Sequence, residues 1–230
     1  GTADRLLHST EGVWWSNTMK ALWNLPAFRV GLMLAVFAVV ATTLVAFTEE
    51  STREQIIENE RQALLEAINV LLPKQEYDNN ILSDTLVLPP TPQLGTEEPT
   101  VVYRARKNED PVAAVLTAVA PDGYSGSIKI LIAIYTDGTL AGVRVISHKE
   151  TPGLGDKIDV QRDDWILQFA GLSLESPDES RWKVKKDGGE FDQFTGATIT
   201  ARAVVNAIKR TLEFFEANKD KLFIPAEENT

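Results

Sequence analysis

The segment from Asp192 to Thr200 has residue types and a spacing that could hold an anionic group. It reads Asp-Gln-Phe-Thr-Gly-Ala-Thr-Ile-Thr and leads into a predicted helix, Thr200–Asn218. The unpaired N–H groups and the dipole at a helix N-terminus favour a phosphate. Thr198 is expected about two residues before the helix cap, so a phosphate esterified to its hydroxyl would lie beside those N–H groups. The alternative is that the threonines serve only in capping and turns.

A threonine hydroxyl is a weak nucleophile unless a base activates it. Asp192 is the one acidic residue in the segment, so we do not expect the protein to attach a group to Thr198 by itself. The chain has no cysteine and only two histidines, His8 and His148. These counts exclude thiolate zinc sites, iron–sulfur clusters held by this chain and cysteine-linked flavin, and they argue against a multi-histidine metal site or an intrachain bis-histidine haem. Redox chemistry would therefore need an organic cofactor.

The elements that position this segment are predicted from hydrophobic periodicity. Strands are expected at Val101–Arg106, Val112–Ala120, Ile128–Tyr135 and Leu140–Ser147, and the irregular segment before them contains at most a short strand at Thr85–Leu88. The dipeptide Asp137-Gly138 between the last two strands predicts a hairpin and therefore an antiparallel sheet. A short helix is expected at Asp164–Ala170, and the helix Thr200–Asn218 should bury one apolar face. The soluble part is thus predicted to be α+β, and the net charge of −10 argues against a nucleic-acid partner.

The uncharged stretch Val30–Thr48 predicts a single transmembrane helix, because its length matches the ~30 Å hydrocarbon core of a bilayer. Arg29 precedes this stretch and Glu49 follows it, so the positive-inside rule places the N-terminus in the cytoplasm. A second helix is expected over Ser51–Leu72, with Pro73 ending it.

The sequence predicts four regions along the chain. They are a cytoplasmic segment (1–29), a transmembrane helix (30–48), a juxtamembrane helix with a proline-rich crossing segment (49–100), and a cofactor-binding domain (101–230). Met19 could be the ordinary translation start, so residues 1–18 are expected to be an upstream extension.

The segment around Thr198 resembles the flavinylation motif Asp-x-x-[Ser/Thr]-Gly-Ala-[Ser/Thr]. In that motif a separate flavin transferase esterifies the phosphate of FMN to the last hydroxyl residue. Two further segments, Gly123–Gly126 and His148–Ile158, are similar to the same FMN-binding family. With the apolar helix, the similarity covers nearly everything after Met19, and the chain resembles the G subunit of the Rnf electron-transport complex.

This resemblance implies that FMN is attached covalently to Thr198 through a phosphoester. Asp192 is the acid of the motif, and the other implied cofactor contacts are Thr195, Gly196, Ala197, Thr151, Gly153, Leu154, His148, Tyr124 and Lys186. In the loop Thr151–Gly155, two glycines would let backbone N–H groups approach the flavin, and Leu154 would cover an apolar ring face.

Structural roles remain open for several of these residues. The loop Thr151–Gly155 could be only a tight turn, and His148 could form only a local hydrogen bond. Tyr124 could anchor its loop, and Lys186 could be a solvated surface charge. Trp165 and Phe169, which lie in the short predicted helix, are expected in the core, although their rings could also stack near a flavin.

The resemblance implies a subunit that relays electrons and turns over no substrate alone. Its partners would be the other Rnf subunits, which carry flavins and iron–sulfur clusters, together with a flavin transferase and membrane lipid. The FMN domain would lie on the periplasmic side of the cell inner membrane. The alternatives are the C subunit of the sodium-translocating NADH:quinone reductase, another membrane-anchored FMN-binding protein, or an anchor or sensor in which Thr198 merely caps a helix.

Overall fold

The computed structural model describes residues 26–224, and its first element is a 46-residue helix, α1 (Pro26–Leu71). Proline suits the first helical position because the N–H group it lacks would have no partner there. Residues Phe28–Glu49 form an apolar stretch of 22 residues with a mean hydropathy of 2.5, and the protein buries none of it. This stretch therefore fits a membrane span by length and composition.

Both predicted helical stretches, Val30–Thr48 and Ser51–Leu72, are helical as far as Leu71, and the structure joins them in the continuous α1. No glycine or proline lies between Gly31 and Pro73, and a change from apolar to charged side chains does not interrupt backbone hydrogen bonding. The helix ends just before Pro73, as expected. The expectations for the Met19 start and for residues 1–25 lie outside the described residues.

The predicted strands are all present and form one antiparallel sheet in which each strand pairs with the next along the chain. Their bounds are β1 (Thr85–Leu88), β2 (Thr100–Lys107), β3 (Asp110–Ala120), β4 (Ile128–Tyr135) and β5 (Leu140–Ser147). The turn between β4 and β5 contains Asp137 and Gly138, and Gly138 has a φ of +88° that favours glycine. The α+β class predicted from the sequence is therefore confirmed.

A second long helix, α2 (Thr198–Leu222), packs on one face of this sheet. Its predicted apolar residues are buried, among them Val204, Ile208 and Phe215, and they share a core with Ile130 and other residues of β4. The opposite face is covered in part by the last turns of α1, which bury Ile68, Leu71 and Leu72. Helix α2 and the last turns of α1 thus pack on opposite faces of the sheet.

Between β5 and α2 the chain forms short 3₁₀ turns and two isolated β-bridges. The predicted short helix at Asp164–Ala170 is one of these turns, and it spans Asp164–Phe169. Trp165 and Phe169 are buried among other aromatic rings, so the prediction that they belong to the core is confirmed. The indole N–H of Trp165 donates to the carbonyl of Asp192 at 2.8 Å. This bond ties the aromatic core to the start of the segment that contains Thr198.

Candidate functional site

Helix α2 begins at Thr198, with Ala197 at the N-cap position. The sequence predicted that this helix begins at Thr200, which is two residues later than its observed start at Thr198. The first intrahelical bond runs from the N–H of Ala201 to the carbonyl of Ala197 at 3.4 Å. The N–H groups of Thr198, Ile199 and Thr200 therefore precede the first helical bond, as at the start of any helix, and are available to an anion.

The threonines of the segment have different environments. Thr200 is fully buried, and its hydroxyl donates to the carboxylate of Glu150. Thr195 is exposed and Thr198 is half-buried, and in the part of the chain that the structure describes the Thr198 hydroxyl has no hydrogen-bond partner. Ala197 has no side chain that could cap the helix. The capping alternative therefore does not describe Thr198, whose hydroxyl remains available for an ester.

Glu150 joins the segments that resemble the FMN-binding family, although the sequence did not mark it as a site residue. It is 4% exposed, and its Oε1 accepts the N–H of Ser125 at 2.9 Å. Its Oε2 accepts the hydroxyl of Thr200 in the first turn of α2. The loop that contains Tyr124, the loop Thr151–Gly155 and the start of α2 therefore meet around one carboxylate.

The loop Thr151–Gly155 is a tight turn that lies against the motif segment. The carbonyl of Thr151 accepts the N–H groups of Leu154 at 3.1 Å and of Gly155 at 3.2 Å. The N–H of Gly155 is therefore used within the turn, and the approach of this loop's backbone to a flavin stays a prediction. Gly153 has a φ of +78° and open space where a side chain would begin. Leu154 is exposed, and its Cδ2 lies 3.4 Å from the position that a Cβ would take at Gly196.

His148 and Tyr124 lie in the loops that flank this site. His148 is half-buried, and its Nδ1 accepts the backbone N–H of Glu150 at 3.1 Å, which is the local hydrogen bond that the sequence left open. Tyr124 is 68% exposed, so it does not anchor its loop in the core. The Tyr124 ring is instead exposed at the protein surface.

Charged residues from the preceding turn surround the motif. The Lys185 ammonium pairs with the Asp192 carboxylate at 2.8 Å, and the backbone N–H of the exposed Lys186 donates to the side chain of Gln193 at 3.1 Å. On α2, Arg202 donates two hydrogen bonds to Asp187, at 2.6 and 2.9 Å. The hydrogen bonds from Arg202, together with the nearby lysines, lower the pKa of Asp187 below its usual range, and the Arg202 pKa is raised in turn.

These features fit a flavin phosphate and ring. Thr198 presents a hydroxyl beside the unpaired N–H groups of the first helical turn, and Arg202 lies four residues later on the same helical face, where its guanidinium is paired with Asp187. Tyr124, Leu154 and Ile199 expose apolar side chains that could cover an isoalloxazine. Asp192 is occupied by its ion pair with Lys185, so the segment offers no free base to activate the hydroxyl.

Comparison with protein families supports two parts of the chain separately. The FMN-binding domain family matches residues 123–213, which include all the loops described above and most of α2. The RnfG N-terminal region matches residues 19–71, which include α1.

Whole-chain relatives are named as the G subunit of an ion-translocating oxidoreductase complex. The protein from Pseudoalteromonas atlantica is 48% identical over 86% of this chain and 92% of its own length, and that from Vibrio atlanticus is 47% identical over 84% and 91%. The crystal structure of Shewanella oneidensis NqrC is similar at 23% identity with a TM-score of 0.43, covering 67% of this chain and 76% of that one. On the strength of the whole-chain relatives, the chain belongs to the family of G subunits of ion-translocating oxidoreductase complexes.

Proposed function

We propose that this protein is an electron-carrying flavoprotein subunit of a membrane-bound Rnf complex, with FMN attached through a phosphoester to Thr198. The observation that carries the proposal is the unpartnered Thr198 hydroxyl at the first position of α2, inside a matched FMN-binding domain and among the described residues. The N–H groups of the first helical turn would hold the phosphate oxygens. FMN, when bound, supplies electron transfer in single steps.

The residues around Thr198 would orient the cofactor and separate it from water. Lys186 would add positive charge at the N-terminal end of the helix, and Arg202 would reach the phosphate only by giving up its pairing with Asp187. Leu154 and Ile199 offer apolar contact to the ring, and Tyr124 offers an aromatic face. The backbone N–H of Gly153 is a further donor in this region, whereas Thr195, Gly196 and Ala197 shape the turn that leads to Thr198.

Attachment would require a separate flavin transferase. The Thr198 hydroxyl has no basic partner among the described residues, and the motif acid Asp192 is paired with Lys185. The transferase would therefore supply the base, and Asp192 would serve as part of the surface that it recognises.

In the membrane, the stretch Phe28–Glu49 of α1 would contact lipid in a single pass. We propose the division into residues 1–29, 30–48, 49–100 and 101–230 that the sequence predicts. Arg29 before the apolar stretch and Glu49 after it support a cytoplasmic N-terminus and a periplasmic FMN domain in the cell inner membrane. The partners would be the other subunits of the complex, with flavin and iron–sulfur cofactors.

A reporter fused after Thr230 tests the proposed periplasmic position of the FMN domain. A periplasm-specific reporter should be active, and activity of a cytoplasm-specific reporter instead would refute this orientation.

Intact mass spectrometry tests the proposed cofactor directly. Protein purified from cells that contain the flavin transferase should be heavier than the bare chain by FMN less one water. A chain at its unmodified mass, produced under conditions that flavinylate a known substrate of the transferase, would contradict the proposal.

A further inference from the structure

Glu150 is a buried carboxylate without a cationic partner among the described residues. Burying a charge is costly unless hydrogen bonds compensate for the lost water. Here the compensation comes from the Ser125 N–H and the Thr200 hydroxyl, while the backbone N–H of Glu150 is held by His148. Because burying the Glu150 carboxylate is costly, we expect it to have a specific role at this site.

The two carboxylate oxygens of Glu150 point to different parts of the site. Oε1 holds the loop between β3 and β4 through Ser125, and Oε2 holds the first turn of α2 through Thr200. The loop that follows Glu150 lies against the same side chain, because a Cβ built at Gly155 would be 2.8 Å from Oε2 and 2.9 Å from the Thr200 oxygen. One side chain therefore connects all three segments.

Thr198 and Thr200 point in nearly opposite directions, since each residue of an α-helix turns by about 100°. The bond to Glu150 directs Thr200 into the protein, so Thr198 must face outward, where it is half-buried and, among the described residues, unpartnered. The same bond occupies the Thr200 hydroxyl, which would otherwise be the nearest competing site for an ester.

We infer that Glu150 is the positioning residue of this site: it fixes the two loops against α2 and selects Thr198 over Thr200 for modification. The inference rests on the proposed attachment of FMN to Thr198. Glu150 touches no cofactor in this account and acts through Ser125 and Thr200. Glutamine can replace both bonds, because its amide oxygen accepts from Ser125 and its NH₂ group donates to the Thr200 oxygen. Alanine can replace neither.

The test uses the full chain in detergent with Glu150→Ala, Glu150→Gln and a control, Asp84→Asn. Asp84 is another carboxylate that joins distant segments, through Arg104 at 2.6 Å and Arg106 at 2.7 Å, but it has no contact with the first turn of α2. Amide hydrogen exchange of the flavin-free protein measures whether Glu150 holds the Ser125 loop in place. The rate of covalent FMN loading by purified flavin transferase with FAD measures how this affects the modification of Thr198.

In Glu150→Ala the exchange of the Ser125 amide should rise by about tenfold or more, the effect of losing a hydrogen bond to a charged group, while the amides of β4 stay protected. Loading at Thr198 should slow by a similar factor. Glu150→Gln should restore both to near wild-type values, and Asp84→Asn should change neither.

Unchanged Ser125 exchange and unchanged loading in Glu150→Ala would overturn the inference. It would also be overturned if Asp84→Asn slowed loading as much, because loading would then follow general stability. If the wild-type chain gained no covalent FMN at all, the proposed function would fall, whereas Ser125 exchange would still decide whether Glu150 holds the loops.

Discussion

Substituting Gly155 by alanine should separate the loop Thr151–Gly155 from the start of α2. The φ of Gly155 lies outside the left-handed region, so alanine can adopt its backbone conformation and the effect must come from the added methyl group. That methyl would lie 2.8 Å from Glu150 Oε2 and 2.9 Å from the Thr200 hydroxyl oxygen, with Glu150 Cβ at 3.0 Å. All three distances are shorter than ordinary van der Waals contact.

The added methyl group therefore forces the Glu150 and Thr200 side chains to move by roughly half an ångström. Overpacking of this kind costs about 1–3 kcal/mol, and a weakened hydrogen bond to the Glu150 carboxylate adds to that cost. We expect Gly155→Ala to lower the free energy of unfolding by about 2–4 kcal/mol, the sum of about 1–3 kcal/mol from overpacking and about 1 kcal/mol from the weakened hydrogen bond. Covalent FMN loading should slow as well, because the first turn of α2 is displaced.

Gly142→Ala is the matched control. Its added methyl would lie 3.0 Å from the Leu71 Cδ2, so it also crowds a packed region, but on the face of the sheet opposite α2. The assay is thermal unfolding followed by circular dichroism, together with flavin fluorescence per chain on a denaturing gel. Gly142→Ala should load FMN normally, because the flexible end of Leu71 can give way to its methyl group without disturbing the start of α2. A Gly155→Ala protein with wild-type stability and loading would refute this account of the loop.

Gly153→Val adds a branched side chain where φ is +78° but where no atom would be within 4 Å, so the cost is backbone strain of about 1–3 kcal/mol. We expect altered flavin absorbance and potential before loss of fold; unchanged values would show that the loop is only a turn. Burial, and then the hydrogen bond to Glu76 at 2.7 Å, raise the pKa of Tyr135 to about 12. Between about pH 10 and 12 the folded state keeps a proton that the unfolded state loses, so stability falls as pH rises. Tyr135→Phe should flatten that fall in chemical unfolding, and an equal fall in both proteins would contradict the assignment.

The strands were predictable because their signals are local. Alternating apolar residues and the turn dipeptide Asp137-Gly138 mark β4 and β5, whose observed bounds match the prediction. The joining of the two N-terminal helices was missed because the change to charged residues near Glu49 was taken as a boundary. Helix ends follow backbone hydrogen bonds and breakers such as Pro73, and a change in side-chain polarity is neither.

The motif around Thr198 could be found from the sequence, but its arrangement could not. Glu150 lies 25 residues after Ser125 and 50 residues before Thr200, so no local pattern connects them. The available signal was an acidic residue directly before a turn rich in proline and glycine. The start of α2 was misplaced for a different reason. The helix was predicted from its apolar periodicity, which begins at Thr200, whereas the helical backbone begins at Thr198.

The assignment of the cofactor to Thr198 is tested most directly by locating flavin on the chain after substitution. Thr198→Ser keeps a hydroxyl and should keep covalent FMN, whereas Thr198→Val should lose it with little change in circular dichroism, because this hydroxyl has no partner among the described residues. Thr52→Val, which alters an exposed threonine of α1 outside the motif, should load normally. Peptide mass spectrometry of the denatured chain gives the site. FMN found on the Thr198 peptide of the wild type and absent from Thr198→Val would agree with the account, and covalent flavin that persists in Thr198→Val at Thr200 or another residue would contradict it.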